Sequence, residues 1–486
     1  MSNKVTIRRL ATGVPGLDDL LGGGLPEYSF NLIAGSPGSG KTTLAHQIMF
    51  ALASSERKAL FFTVLGESPL KMLRYQQQFP FFDIDKVNQS IKCVNLASDL
   101  LDGDFDRVLK RMKEEVQAFS PGLVFVDSFR SVVQSAKTMD GEVSGLQHFV
   151  QQLGMQMTGW QATTFLIGEY LVPEAESSPV FTIADGILWM SQHLNRDSMV
   201  RKMQVVKMRG QAQSPGLHTF RISDGGVEVF PRTILPSGTI GDIKMSGDKR
   251  LSLGVPELDE MMGGGLPISY SLLSVGPSGS GKSILSTQFL AEGVRVGEPG
   301  VIAAFEKSPN QLLSHKLNQL VDSGKVGLID TRALDLSIDE TLHGMVQMIT
   351  RMQAKRVVID SLSGFELALA PAFRENFRES LYRMIAVLTG MGVTVLMTAE
   401  LEDRYNDLRF SSYGNAFLAD AIILQRYVEI DAQFRRVISV VKVRASGHSK
   451  DIRFFDIEND CITIGERLTD YQGILTGTPV PLLKNI

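Results

Sequence analysis

Short apolar runs rich in β-branched residues recur along the chain, and stretches with helical spacing separate them. In the first half the runs are FNLIAG (30–35), ALFFTVL (59–65), GLVFVD (122–127) and ATTFLIG (162–168). The second half keeps the rhythm with SLLSVG (271–276), VIAAFE (301–306), RVVID (356–360) and VTVLMTA (393–399). Near-continuous apolar runs, without polar alternation, predict central strands of a mostly parallel sheet covered on both faces. Between them, RVLKRMKEEVQAF (107–119) and RESLYRMIAVLTGM (378–391) have helical periodicity and predict crossover helices. The expected fold class is α/β, a mostly parallel sheet flanked by helices, formed twice in tandem.

The doubling is also literal. GVPGLDDLLGGGLP (13–26) returns as GVPELDEMMGGGLP (254–267), and GSPGSGKTT (35–43) as GPSGSGKSI (276–284). Further on, LGESP (65–69) answers FEKSP (305–309), and LVFVDS ending at Ser128 answers RVVIDS ending at Ser361. FTIADGILWM (181–190) answers AFLADAIILQ (416–425), and VVKMRG (205–210) answers VVKVRA (440–445). The order is unbroken, so this is a duplicated domain and not a short solenoid repeat. The polar, glycine-containing stretch 236–250 is the expected linker, between domains at 1–235 and 251–478, with a short tail at 479–486.

Composition changes this picture little. A length of 486 residues gives each half enough chain for a full α/β domain. A formal net charge of −4 gives no general attraction to nucleic acid or anionic lipid. The N-terminus has basic residues without an apolar segment behind them, and no run approaches the roughly 18 residues needed to span a bilayer. Cys93 and Cys461 form no CxxC and the seven histidines no HExxH, so a disulfide framework or zinc site has no support. A reducing cytoplasm is the expected compartment.

Chemistry enters with Gly35, Gly38, Gly40, Lys41, Thr42 and Thr43, and with their counterparts Gly276, Gly279, Gly281, Lys282 and Ser283. Both stretches fit GxxxxGK[ST], where glycines let backbone N–H groups turn onto phosphates, lysine reaches the terminal phosphates and the hydroxyl holds Mg²⁺. Each lies between an apolar strand and a helical run, the context such a loop requires. ATP or GTP binding follows. Asp127 and Asp360 end apolar strands and are placed to hold the metal's water shell beside Thr42 and Ser283. Glu67 and Glu306, after another strand, are candidates for orienting the attacking water. They do not align: Glu306 stands opposite Gly66, and Glu67 opposite Lys307. Lys207 with Arg209, and Lys442 with Arg444, occupy alternate positions on a predicted strand, so both cations of a pair can address one phosphate on a neighbouring subunit. The plain reading of each pair is a charged solvent face, which the duplication argues against.

This constellation resembles the KaiC family, the double-domain branch of RecA-like ATPases, over roughly residues 5–478. The GVPxLDxxxGGGLP lead-in, the P-loop, the post-strand Glu, the hhhhDS strand and the KxR strand occur in family order in both halves. The resemblance implies two tandem RecA-like P-loop NTPase domains in a two-tier hexameric ring. ATP and Mg²⁺ would lie between subunits, with the P-loop on one and the Lys/Arg pair from the next. Family members hydrolyse ATP in the first ring, and in the second they phosphorylate and dephosphorylate adjacent Ser and Thr of their own chain.

Three departures qualify what the resemblance implies. The family's paired catalytic glutamates survive here as single acids. The expected phospho-acceptor positions hold Ala416 and Phe417, with Ser411, Ser412 and Tyr413 a few residues upstream. The third is at the C-terminus: Ile486 comes soon after GILTGTP, so the long tail that recruits a KaiA-type partner is expected to be absent or vestigial and such a partner is not expected, whereas a KaiB-type partner on the first ring stays compatible. The leading expectation is therefore an ATP-hydrolysing ring with a regulatory role. The alternatives are a nucleotide-gated scaffold with little turnover and an autophosphorylating Ser/Thr kinase. DNA recombination ranks last, because no basic, aromatic-laced segment is present.

Overall fold

The apolar runs of each half come together in a single sheet. The structure, a computed structural model, describes residues 7–63, 69–87, 89–100, 105–127, 152–157, 159–170, 179–195, 198–232, 249–305, 314–329, 336–401, 418–469, 471–473 and 480–481. It divides into two compact units, residues 1–232 and 233–486.

In the first unit a short ribbon of β1 (Arg9–Leu10) and β2 (Leu25–Pro26) precedes the main strands. These are β3 (Phe30–Gly35), β4 (Ala59–Thr63), β5 (Ile91–Asn95), β6 (Leu123–Asp127), β7 (Thr163–Glu169), β8 (Gly186–Asn195), β9 (Ser198–Met208), β10 (His218–Ser223) and β11 (Gly226–Phe230). Their order across the sheet is β11-β10-β9-β8-β3-β7-β6-β4-β5. The strands from β8 to β5 are parallel, and β9 to β11 continue the sheet as antiparallel hairpins.

The second unit repeats the plan. The ribbon is β12 (Arg250–Leu251) with β13 (Leu266–Pro267), followed by β14 (Ser271–Gly276), β15 (Gly300–Ala304), β16 (Val326–Ile329), β17 (Arg356–Asp360) and β18 (Thr394–Glu400). Then come β19 (Ala421–Ile430), β20 (Gln433–Val443), β21 (Ile452–Glu458) and β22 (Cys461–Arg467), in the order β16-β15-β17-β18-β14-β19-β20-β21-β22. Each unit is a RecA-like α/β domain.

Strand β3 explains why the sequence pattern lacks alternation. Ile33 packs in a cluster with Leu44 and Ile48 of the helix Lys41–Leu52. Its neighbours Leu32 and Ala34 point the other way, into a cluster with Leu109 and Met112 of the helix Phe105–Phe119. With helices on both faces, every position is buried, and each large side chain contributes about 1.5–3 kcal/mol. β14 divides in the same way, with Leu272 in one cluster and Leu273 and Val275 in another.

The predicted helices start slightly earlier than the pattern indicated, at Phe105 and Phe377. The predicted strand 59–65 is described as Ala59–Thr63, and nearly all of the expected linker lies outside the described residues.

Candidate functional site

Open parallel sheets place their ligands beyond the C-terminal ends of the strands, and both phosphate-binding motifs lie there. The first runs from the end of β3 into the helix Lys41–Leu52, the second from β14 into the helix Lys282–Arg295. Gly40 and Gly281 are the N-cap residues, with φ of 96° and 104°, and neither helix has a side-chain cap. The positive φ at both positions is one that residues with a Cβ rarely adopt, which is why glycine stands there. An uncapped helix start of this kind offers its N–H groups and dipole to an anion.

The loops are held ready from within. Lys41 Nζ donates to Ser36 O at 2.8 Å, and Lys282 Nζ to Gly276 O and Pro277 O, both at 2.8 Å. Burial pulls the Lys41 ammonium below its ordinary value, while the nearby Glu169 and Asp127 carboxylates act in the opposite direction. The buried hydroxyls of Ser36 and Ser39 have no partner. Outside each loop a side chain from the adjoining strand holds the backbone: Gln192 Nε2 donates to Pro37 O at 2.9 Å, and Tyr427 Oη to Gly279 O at 2.6 Å. Uncapped N–H groups, a buried lysine and unpartnered hydroxyls fit a polyphosphate.

The metal side differs between the copies. Thr42 Oγ1 donates to Asp127 Oδ2 at 2.7 Å, joining the loop to the end of β6. In the second unit Asp360 Oδ1 accepts from Thr398 Oγ1 of β18, the place that Ile167 takes in the first. No cluster of three or more His, Cys, Asp or Glu occurs among the described residues. A hydroxyl beside a single carboxylate suits a hard cation such as Mg²⁺, which keeps some waters and takes oxygens from phosphate.

The cationic pairs lie at the other end of the sheet. Lys207 is near the end of β9, paired with Ile187 of β8, and Arg209 follows the last strand residue. Both side chains remain partly or largely exposed, and their charges are close enough that Arg209, after burial, lowers the Lys207 ammonium. Lys442 and Arg444 repeat this relation. Arg209 Nη1 meets Asp185 Oδ1 at 3.1 Å, while Asp185 Oδ2 accepts from Phe30 N at 3.0 Å, at the start of β3. Arg444 and Asp420 match this at 2.9 Å, with Ser271 N bound at 3.1 Å. Each arginine thus sits at the N-terminal end of the strand whose C-terminal end carries the phosphate loop. Five residue steps of about 3.3 Å separate the two ends, more than an arginine side chain spans.

Of the residues singled out in the sequence, the structure brings together the loop, Thr42 and Asp127 in one place, and each Lys/Arg pair in another. Glu67 and Glu306 lie outside the described residues, as do Ser411, Ser412, Tyr413, Ala416 and Phe417. Sequence reasoning passed over Asp185 and Asp420, although the repeated IADG/LADA stretch contains them. It also passed over Glu169 and Glu400, which end β7 and β18 in register with Gly35 and Gly276.

Comparison with known proteins accords with this geometry. A family model described as ATPase: KaiC matches residues 10–234 and again 251–469. The circadian clock oscillator protein KaiC of Rippkaea orientalis is 28% identical over 97% of this chain and 92% of its own. The circadian clock protein KaiC3 of Synechocystis is 28% identical over 98% of this chain and 95% of its own. The KaiC of Thermostichus vulcanus is 27% identical, with 97% and 92% covered.

Proposed function

The chain belongs to the KaiC ATPase family, and from that premise we propose that it is an ATP-hydrolysing, homo-oligomeric ring protein with a regulatory role. The nucleotide is held between subunits, in a hexamer as the family resemblance implies. The observation that carries this reading is the separation of each cationic pair from its own phosphate loop. Arg209 is tied through Asp185 to Phe30, whereas the loop begins at Gly35. An arm that cannot reach its own domain's phosphate needs another copy of the domain to act on.

The division of labour follows. Backbone N–H groups of the loop and Lys41 bind the β- and γ-phosphates, and Thr42 with Asp127 would hold Mg²⁺, which would supply charge neutralisation to the phosphate. Glu67 in the first domain and Glu306 in the second orient the water that displaces ADP from the γ-phosphorus. Lys207 and Arg209 of the adjacent subunit stabilise charge on the transferred group. Lys282, Ser283, Asp360, Lys442 and Arg444 take the same places in the second domain. A KaiB-like protein is a partner to test on the first ring.

A second reading, a nucleotide-gated scaffold with little turnover, is favoured for the second domain by the Asp360–Thr398 contact. A metal aspartate engaged by its own sheet is less free to serve a cation.

Purified protein given Mg-ATP labelled at the γ-phosphate decides among the readings. Label released as free phosphate, and reduced at least tenfold by Arg209→Ala together with Arg444→Ala, is the expected result. Label retained on ATP would favour the scaffold, and label on the protein would favour the autokinase.

A further inference from the structure

The triple-glycine lead-in is a repeated motif that the phosphate chemistry does not use, and in both units it meets the loop just beyond the cationic pair. In the first unit Gln211, two residues after Arg209, donates from Nε2 to Leu21 O at 2.6 Å and to Gly24 O at 2.8 Å. Ser214 N donates to Leu20 O at 3.0 Å. In the second unit the residue at the place of Gln211 is Ser446, too short to span the gap. There Arg250 Nη1 takes the corresponding carbonyls, Met262 O at 3.1 Å and Gly265 O at 2.9 Å, and its Nη2 reaches Ser446 Oγ at 2.5 Å. Ser449 N donates to Met261 O at 2.7 Å, as Ser214 does to Leu20.

The close approach also explains the first glycine. At Gly22, φ 73°, a Cβ would lie 2.2 Å from Ala212 O; at Gly263, φ 79°, it would lie 2.7 Å from Gly447 O. Backbone meets backbone here, which only glycine permits. The joint is therefore made twice on the same carbonyls by different side chains. The other side of each arm is pinned by Asp185 or Asp420, so the strand end is gripped from both directions.

We propose that the triple-glycine elbow is the seat that sets the pose of the Lys/Arg arm offered to a neighbouring chain. Gln211 in the first domain, and Arg250 with Ser446 in the second, are its positioning residues. The proposal rests on the reading that Lys207 and Arg209 complete a neighbour's site. Misplacing a charged group by about 1 Å is enough to cost a large factor in rate while leaving substrate binding intact.

The test uses the full chain carrying Lys282→Ala, so that the first site alone turns over. Gln211→Ala is expected to lower kcat about tenfold with KM for ATP changed less than about twofold. Gln211→Ser is expected to recover most of the loss. Arg9 stands where Arg250 stands in the second unit and donates to Gly22 O, beside Leu21, so with a serine hydroxyl to anchor it Arg9 can turn to the carbonyls that Gln211 leaves. Mixing Gln211→Ala chains with Lys41→Ala chains should restore turnover, because the second chain brings a well-seated arm to the first chain's intact loop.

Three results overturn the proposal. If Arg209→Ala slows turnover and Gln211→Ala does not, the elbow does not position the arm. If mixing fails to restore activity, the Gln211→Ala defect lies in that chain's own loop or fold. If neither variant slows turnover, the trans-acting arm itself is wrong and the proposal falls with it. Should Gln211→Ala not fold, Ser446→Ala in a Lys41→Ala chain asks the same question of the second site, with the same expected split between kcat and KM.

Discussion

At the scale of single residues, the first domain carries a titratable group with no counterpart in the second. His46 lies one turn beyond Thr42 on the helix Lys41–Leu52, fully buried, with its ring stacked on Phe61 at 4.6 Å. Burial lowers its imidazole from 6.5 to about 4, against an opposing pull from the Thr42 backbone. The unfolded chain takes up this proton as pH falls through 6.5, whereas the native state resists until about pH 4. Stability therefore declines across that window and levels off below it, by at most about 3 kcal/mol. Replacing His46 with threonine, the residue at the same place in the second domain (Thr287), should flatten this part of the pH dependence of chemical denaturation. An unchanged slope would mean that other groups set the acid limit. Residues of this kind show how far the sequence could be read. The phosphate loop was legible because its chemistry demands a fixed local spelling. Asp185 and Asp420 were not, because their roles depend on Arg209 and Phe30, or Arg444 and Ser271, brought together by the sheet.

Elements raise a different question, namely what fixes strands and helices of the second unit to one another. Arg356 opens β17, yet its side chain is 1% exposed. Its Nε and Nη2 meet Glu298 Oε2 at 2.9 and 2.8 Å. Its Nη1 donates to Ser252 O at 2.7 Å and Phe289 O at 3.0 Å, and the guanidinium lies over the Phe289 ring at 4.8 Å. One side chain thus joins a strand, the phosphate-loop helix Lys282–Arg295 and the segment leading to the elbow. Arg356→Ala removes the partner of Glu298 and the guanidinium bonds to two backbone carbonyls, at a cost of about 2–3 kcal/mol. The expected outcome is an early melting transition confined to the second domain, with the first domain's transition unmoved. A single shifted transition would show that the two domains unfold together. Periodicity alone could not foresee this contact. It read RVVID as a strand, which is correct, but the arginine at its head looked like an ordinary polar boundary. The equivalent place in the first domain is Leu123, buried in the usual apolar way.

For the whole molecule, the sequence made the duplication plain and left the assembly to the family resemblance. Spelling records which residues form a loop or an arm, but not that the six residues of β3 hold them apart. Since arm and loop of one domain cannot meet, turnover per chain should fall steeply on dilution below the concentration at which chains associate. Turnover that stays proportional to protein at all concentrations would argue for a self-sufficient monomer.

The opposed ends of β3 and β14 also restrict the symmetry open to any assembly. A two-fold, isologous contact would set identical surfaces together, and need not bring an arm to a loop. A heterologous, head-to-tail contact satisfies one loop with one arm at every junction and repeats in a single rotational sense. Such a series can close on itself or stop at unfilled ends. If the arm serves a neighbour as proposed, an open arc leaves one vacant loop and one idle arm for each of the two domains, so closure itself would complete the last pair of sites.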